Sequence, residues 1–283
     1  MLRFVVILAL VVVSASAVFA QAAPAFATRT ATTIQTPAVR AATAEVVAIG
    51  KITALESGEV EVPQFANSAN KLTFRIAVVK IEDDLAGAAG QTHLKVGFPT
   101  TGAAARVGMP AFDWKENAVG LFLVSKHHTG SFYVGTNNGQ PIDAAAEGYK
   151  NSLVQVKRAR AVIADPIQGL KGKEVKDRYF AAAILVQKYR TSTAGQTNKT
   201  EGVPTEESKL ILSAVADADW ENPEKDVPTP YQTFTRLGLT AVDKWQPAPF
   251  NGNGNQQVHT RDEFKKWLEG DGVKYQVKRY TAK

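Results

Sequence analysis

Ahead of residue 143 the apolar positions of the chain alternate. In "KLTFRIAVVKI" Leu72, Phe74, Ile76 and Val78 share one parity, while Lys71, Thr73 and Arg75 take the other. A period of two belongs to a strand with one buried face. "AEVVAIGKITALE" reads as a first strand with Val47, Ile49 and Leu55 on one parity, and "EVEVP" as a short alternating strand. Gly50 interrupts the first, as a bulge or tight bend does. "THLKVGF" sends Leu94, Val96 and Phe98 one way and His93 and Lys95 the other. "AVGLFLVS" is apolar on both faces, the pattern of a strand covered on each side. "SFYVG" follows it across the glycine-containing connection "KHHTG". Five or six short strands with no helix between them predict a small antiparallel β-barrel over residues 43–142.

From residue 143 onward the period becomes helical, and a separate α-helical domain is predicted over 143–283. "DAAAEGYKNSLVQVKRARAVIA" opens on Asp143 as an N-cap and carries Leu153, Val156 and Val162 until Asp165-Pro166 breaks it. "KEVKDRYFAAAILVQKYR" places Val175, Tyr179, Ala182, Val186 and Tyr189 along one broad stripe. "TSTAGQTNKTEGVP" reads as a polar loop, and "TEESKLILSAVADADW" as a helix with two glutamates in its first turn, where the helix dipole favours them. Thr260 and Glu263 have the spacing of a capping box at the start of a last helix that stops at Gly270. "VKYQVKRY" alternates again, as an edge strand or extended tail. The predicted class is α+β, a barrel-like front followed by helices.

The strand order now carries a resemblance. "VVAIGKITALE", "TFRIAVVKIEDDLAG" with its terminal Leu85-Ala86-Gly87, "HLKVGF" and "AVGLFLVSKHHTGSFYVG" resemble, over about residues 43–140, the OB-type barrel of the netrin-like, metalloproteinase-inhibitor superfamily. Inhibitors of that family use an N-terminal cysteine and several disulfides, whereas this chain has no cysteine. The resemblance therefore implies a fold, not inhibition.

The first residues change the setting. Arg3 precedes an apolar run to Val13, and Val18-Phe19-Ala20 ends in the small residues of a cleavage site, so residues 1–20 read as a secretory signal removed after Ala20. Residues 21–42, rich in Ala, Thr and Pro, read as a flexible tether whose removal leaves the melting temperature nearly unchanged. The expected protein is secreted or periplasmic, without a transmembrane segment once the signal is gone. The absence of cysteine leaves no disulfide, thiolate metal site or cysteine nucleophile. The net charge of +6 falls mostly in the second half, too modest to indicate nucleic-acid binding.

Candidate chemistry is sparse. Glu82-Asp83-Asp84 lacks the spaced acids and the glycine of a calcium loop and reads as a strand-end turn. His127 and His128, with His93, are the histidines that could meet a metal, although neighbouring strand residues point to opposite faces. Lys157, Arg158 and Arg160 form a basic cluster that could meet phosphate or an acidic glycan. Trp245 precedes the "NGNGN" loop, a pairing also found in carbohydrate sites. No serine-elbow, phosphate-loop, dinucleotide or metalloprotease motif occurs. The expectation is an exported, non-catalytic binding protein for an unknown protein or glycan partner of the cell envelope, with no cofactor and no metal. His127, His128, Lys157, Arg158, Arg160 and Trp245 are its candidate contacts. The alternatives are a metal- or carboxylate-dependent hydrolase built on His127, His128 and Asp143, and a structural envelope protein.

Overall fold

The alternating segments become a six-stranded sheet in the computed structural model, which describes residues 36–63, 66, 68–99, 112–192 and 196–282. The predicted signal and residues 21–35 of the tether lie outside these. The strands are β1 (Val46–Pro63), β2 (Lys71–Ala86), β3 (His93–Pro99), β4 (Val119–Lys126), β5 (Tyr133–Gly135) and β6 (Ile142–Asp143). The first two predicted strands are thus one long strand. Their order is β1-β2-β3-β5-β4-β6, and β1 also pairs with β4. The sheet is not wholly antiparallel as expected, because β3 and β5 run parallel. Nor is it sealed: that parallel contact covers only Val96 opposite Tyr133 and Gly97 opposite Val134.

Gly50 has the predicted role. The β1–β2 register shifts between Ile49 and Gly50, and a Cβ at Gly50 would lie 2.5 Å from Val79 Cγ1 and 3.0 Å from the Lys80 carbonyl. The shift lies on the β2 side, while residues 46–51 keep an unbroken register with β4, so β1 holds both neighbours at once.

Seven α-helices are found among the described residues: α1 (Pro37–Thr43), α2 (Tyr149–Ala164), α3 (Pro166–Leu170), α4 (Val175–Tyr189), α5 (Thr205–Asp217), α6 (Pro230–Leu237) and α7 (Gln256–Glu269). The first corrects the tether. Thr36 caps α1 by accepting from the Val39 N–H, and Pro37 stands at its first position. Ala38, Val39 and Ala41 are completely buried. Small side chains let this helix pack closely on α2 and α4 beside β4.

That burial also joins the two predicted domains. The largest core draws Val47, Leu121 and Leu123 from the sheet together with residues of α1, α2, α4, α5, α6 and α7. The opposite parity, with Val46, Ala48, Phe122 and Val124, fills the inside of the sheet together with Leu94 and Val96. The apolar faces of β4 thus serve two cores, as its pattern predicts. The described residues form one compact unit. The helices cover a sheet face that would otherwise meet water.

Local differences follow from tertiary contacts. The first long helix begins at Tyr149, because Asp143 pairs with Gly120 in β6. α7 begins at Gln256 under an Asn255 cap. Thr260 therefore lies inside it and donates to the Gln256 carbonyl, while Glu263 accepts from the Ala248 N–H. Part of the predicted polar loop is β7 (Gln196–Gly202), which pairs with β8 (Lys278–Ala282). An isolated polar strand carries no apolar alternation to announce it.

Candidate functional site

An opening lies where β3 and β5 part. The connection between β4 and β5 folds back tightly: the His127 N–H donates to the Phe132 carbonyl at 2.8 Å, and the Gly130 N–H to the His127 carbonyl at 2.7 Å. Gly130 takes φ of +79°, a left-handed turn conformation that glycine adopts without strain. Phe132 then covers Gly97, where a Cβ would stand 2.5 Å from its ring. Below this point the two strands diverge and leave a cleft of about 390 Å³. Gln91, His93 and Lys95 line one side, and Lys126 with residues 130–133 the other.

The cleft is basic and polar. His93 and Lys95 are exposed, as their parity predicts. Lys80 stands opposite His93 in the ladder and is exposed on the same face. Among the described residues no carboxylate lines the cleft, although Lys95 itself pairs with Glu56 at 2.8 Å. Gln91 Nε2 donates to the Tyr133 hydroxyl at 3.3 Å, which spans the opening. Such a surface offers cations, amide and hydroxyl donors and an aromatic face.

His127 serves this site indirectly. Its ring stacks on Phe132 with centroids 4.8 Å apart and meets the edge of Phe74 at 5.8 Å. Its Nδ1 faces the Thr129 hydroxyl at 2.9 Å. Burial, and then the neighbouring His128, pull its pKa below the usual histidine value. A neutral, 7 % exposed ring of this kind fixes the turn. His127 follows the last residue of β4 and Asp143 stands opposite Gly120 near its start, roughly 20 Å apart at the rise of an extended chain. The geometry therefore does not assemble the predicted hydrolytic set. Among the described residues no three His, Cys, Asp or Glu side chains gather as metal ligands.

The other candidates are placed in packing roles. Arg158 pairs with Asp177 at 2.6 Å and lies 3.7 Å over the Phe180 ring. Arg160 is half-buried and donates to the Ala41 carbonyl at 3.4 Å. Burial lowers its pKa and Asp84 pulls it part of the way back. Lys157 is exposed. The three therefore do not form one face. Glu82, Asp83 and Asp84 are exposed but lie within β2, not in the turn expected of them: Asp83 pairs with Ile49 and Asp84 with Ala48, and Asp84 accepts from the Ala88 N–H at 3.3 Å, which ties the strand to the turn that follows. Trp245 is half-buried among Phe234, Phe264 and Trp267. It packs against the core as a partly buried side chain.

Arg40 was concealed from sequence reasoning inside the supposed tether. It is 6 % exposed, and its Nη2 donates to the Gln140 carbonyl at 2.7 Å while its Nε has no partner. Burial alone pulls its pKa down to about 10. Compared with protein-family models, curated proteins and solved structures, the chain matches none.

Proposed function

We propose that the protein is an exported, non-catalytic binding module that takes a negatively charged polymer, protein or glycan, at the basic cleft beside β3. The observation that carries this reading is the convergence of Lys95, Lys126, His93 and Tyr133 on one opening with no carboxylate in its lining among the described residues. Two partly solvated lysines on a rigid sheet attract an anionic chain over a distance of about one Debye length. Export rests on the charged, apolar and small-residue succession of residues 1–20.

An OB-type reading of the sheet supports the choice of site. The ladder passes β1-β2-β3-β5-β4 and returns from β4 to β1, with β3 parallel to β5. In OB folds the face of the second and third strands and the loop between the fourth and fifth hold polymeric ligands. Here those elements are β3 and the turn at residues 127–132. The netrin-like resemblance remains a proposal about fold, and no inhibitory role follows from it.

The test is titration of the mature protein with hyaluronate oligosaccharide and with polyglutamate, at low and at physiological salt. Binding should weaken as salt rises. The Lys95→Ala/Lys126→Ala double variant should lose about tenfold or more in affinity. Absence of binding to either polymer at low salt, or an unchanged double variant, overturns the reading.

A further inference from the structure

The same cleft is an open stretch of strand edge. The Thr92 carbonyl accepts from the Ile81 N–H at 2.9 Å and so points at β2. Backbone groups alternate sides along a strand. Leu94, opposite Val79, therefore also faces β2, and the N–H and carbonyl of His93 turn away from it, into the fork. β5 reaches β3 only from Val96 onward. On that side the His93 backbone has no ladder partner among the described residues. Across the fork the situation differs, since the Phe132 carbonyl just ahead of β5 is already taken by the His127 N–H at 2.8 Å.

We infer that the fork receives an extended acidic peptide segment, which adds beside β3 as a short strand. The inference deepens the binding reading above and rests on it. An unpaired donor and acceptor on one strand residue are the complement of another backbone in extended conformation. Every second side chain of the added strand would stand on the outer face, beside Lys80, His93, Lys95 and Lys126, where an acid is favoured. The ring of Phe132 over Gly97 closes the upper end, so the ladder formed is only a few residues long. An acidic glycan would use the same lysines but would have no use for the His93 backbone groups.

His93 opens β3 and its N–H does not belong to the β2 ladder, so His93→Pro removes one donor at a position where proline is tolerated. His93→Ala keeps that donor. The probes are a short alternating Val-Glu peptide, its Val-Lys counterpart, the Val-Glu peptide N-methylated on alternate amides, and hyaluronate oligosaccharide, each titrated calorimetrically into the mature protein. The Val-Glu peptide should bind. Both variants lose the imidazole, so the comparison is between them: His93→Pro should bind the Val-Glu peptide at least about tenfold more weakly than His93→Ala, while the two bind hyaluronate equally and melt alike. If His93→Pro fails to fold, the N-methylated peptide puts the same question to the unaltered protein and should bind about tenfold more weakly than its parent. Equal binding of the Val-Lys or the N-methylated peptide overturns strand addition. Binding of hyaluronate without the Val-Glu peptide overturns it too, while leaving the binding module standing; no acidic probe binding at all removes both.

Discussion

The Tyr189 hydroxyl on α4 donates to the carboxylate of Glu207 on α5 at 2.5 Å, inside the core where Glu207 is 7 % exposed. Burial first, then the bond and charge of Glu207, push the Tyr189 pKa well above the ordinary phenol value. Tyr189→Phe leaves a buried carboxylate without this donor and should cost about 1.5–3 kcal/mol in urea unfolding. Glu207→Gln, whose amide oxygen still accepts, should cost less. A raised folded pKa keeps its stabilisation at full strength below the unfolded value near about pH 10, and loses it as pH rises through the folded value. Burial pushes the Tyr275 pKa up to about 12 in the same way. Phenolate absorbance from these tyrosines should therefore appear together with unfolding; gradual ionisation of the intact fold near about pH 10 would show them to be solvated.

Among the described residues Arg40 has no carboxylate as a hydrogen-bond partner; its Nη2 donates to the Gln140 carbonyl. Its stem fills space between α1 and Gly139, where a Cβ would meet the guanidinium at 2.6 Å. Arg40→Met keeps most of that volume and removes the buried charge, so it should change stability by less than about 1 kcal/mol, or raise it. Arg40→Ala should cost about 2–4 kcal/mol through the cavity it leaves. Equal losses in the two variants would show that the charge, not the stem, holds this corner.

His127 sets an acid limit. Its lowered pKa means that the unfolded chain binds the proton more readily, so the stabilisation is complete above the unfolded value of about 6.5 and is lost as pH falls through the folded value. His127→Phe preserves a ring against Phe132 but has no proton to bind. The melting temperature of the wild type should fall more steeply than that of the variant below about pH 6.5; parallel curves would place the titration elsewhere.

α1 should be indispensable. A chain beginning at Glu45 lacks Ala38, Val39 and Ala41, all completely buried, and exposes the α2 and α4 surfaces they cover. It should lose its cooperative thermal transition. A chain beginning at Gln35, which keeps the Thr36 cap, should retain it. Similar melting of the two would return this segment to the role of a tether.

The parity of Leu94, Val96 and Phe98 against His93 and Lys95 was legible in the sequence, because a one-residue step turns a strand side chain to the other face. So were the double covering of β4, the bend at Gly50 and the change of period near residue 143. The candidate site was legible only in part: exposure of His93 and Lys95 could be read, but not that they face Lys126 across a fork. That meeting depends on a parallel contact between β3 and β5, two strands separated by the whole of β4. α1 escaped for a different reason. Its alanines make a weak apolar signal, and they are buried only because α2, α4 and β4 close around them. Local periodicity thus determined which face of each element is apolar, since that depends on backbone geometry alone. Which elements share a core, and where two strands separate to leave backbone groups open, depended on contacts between residues far apart in the chain, and the tertiary structure alone decided them.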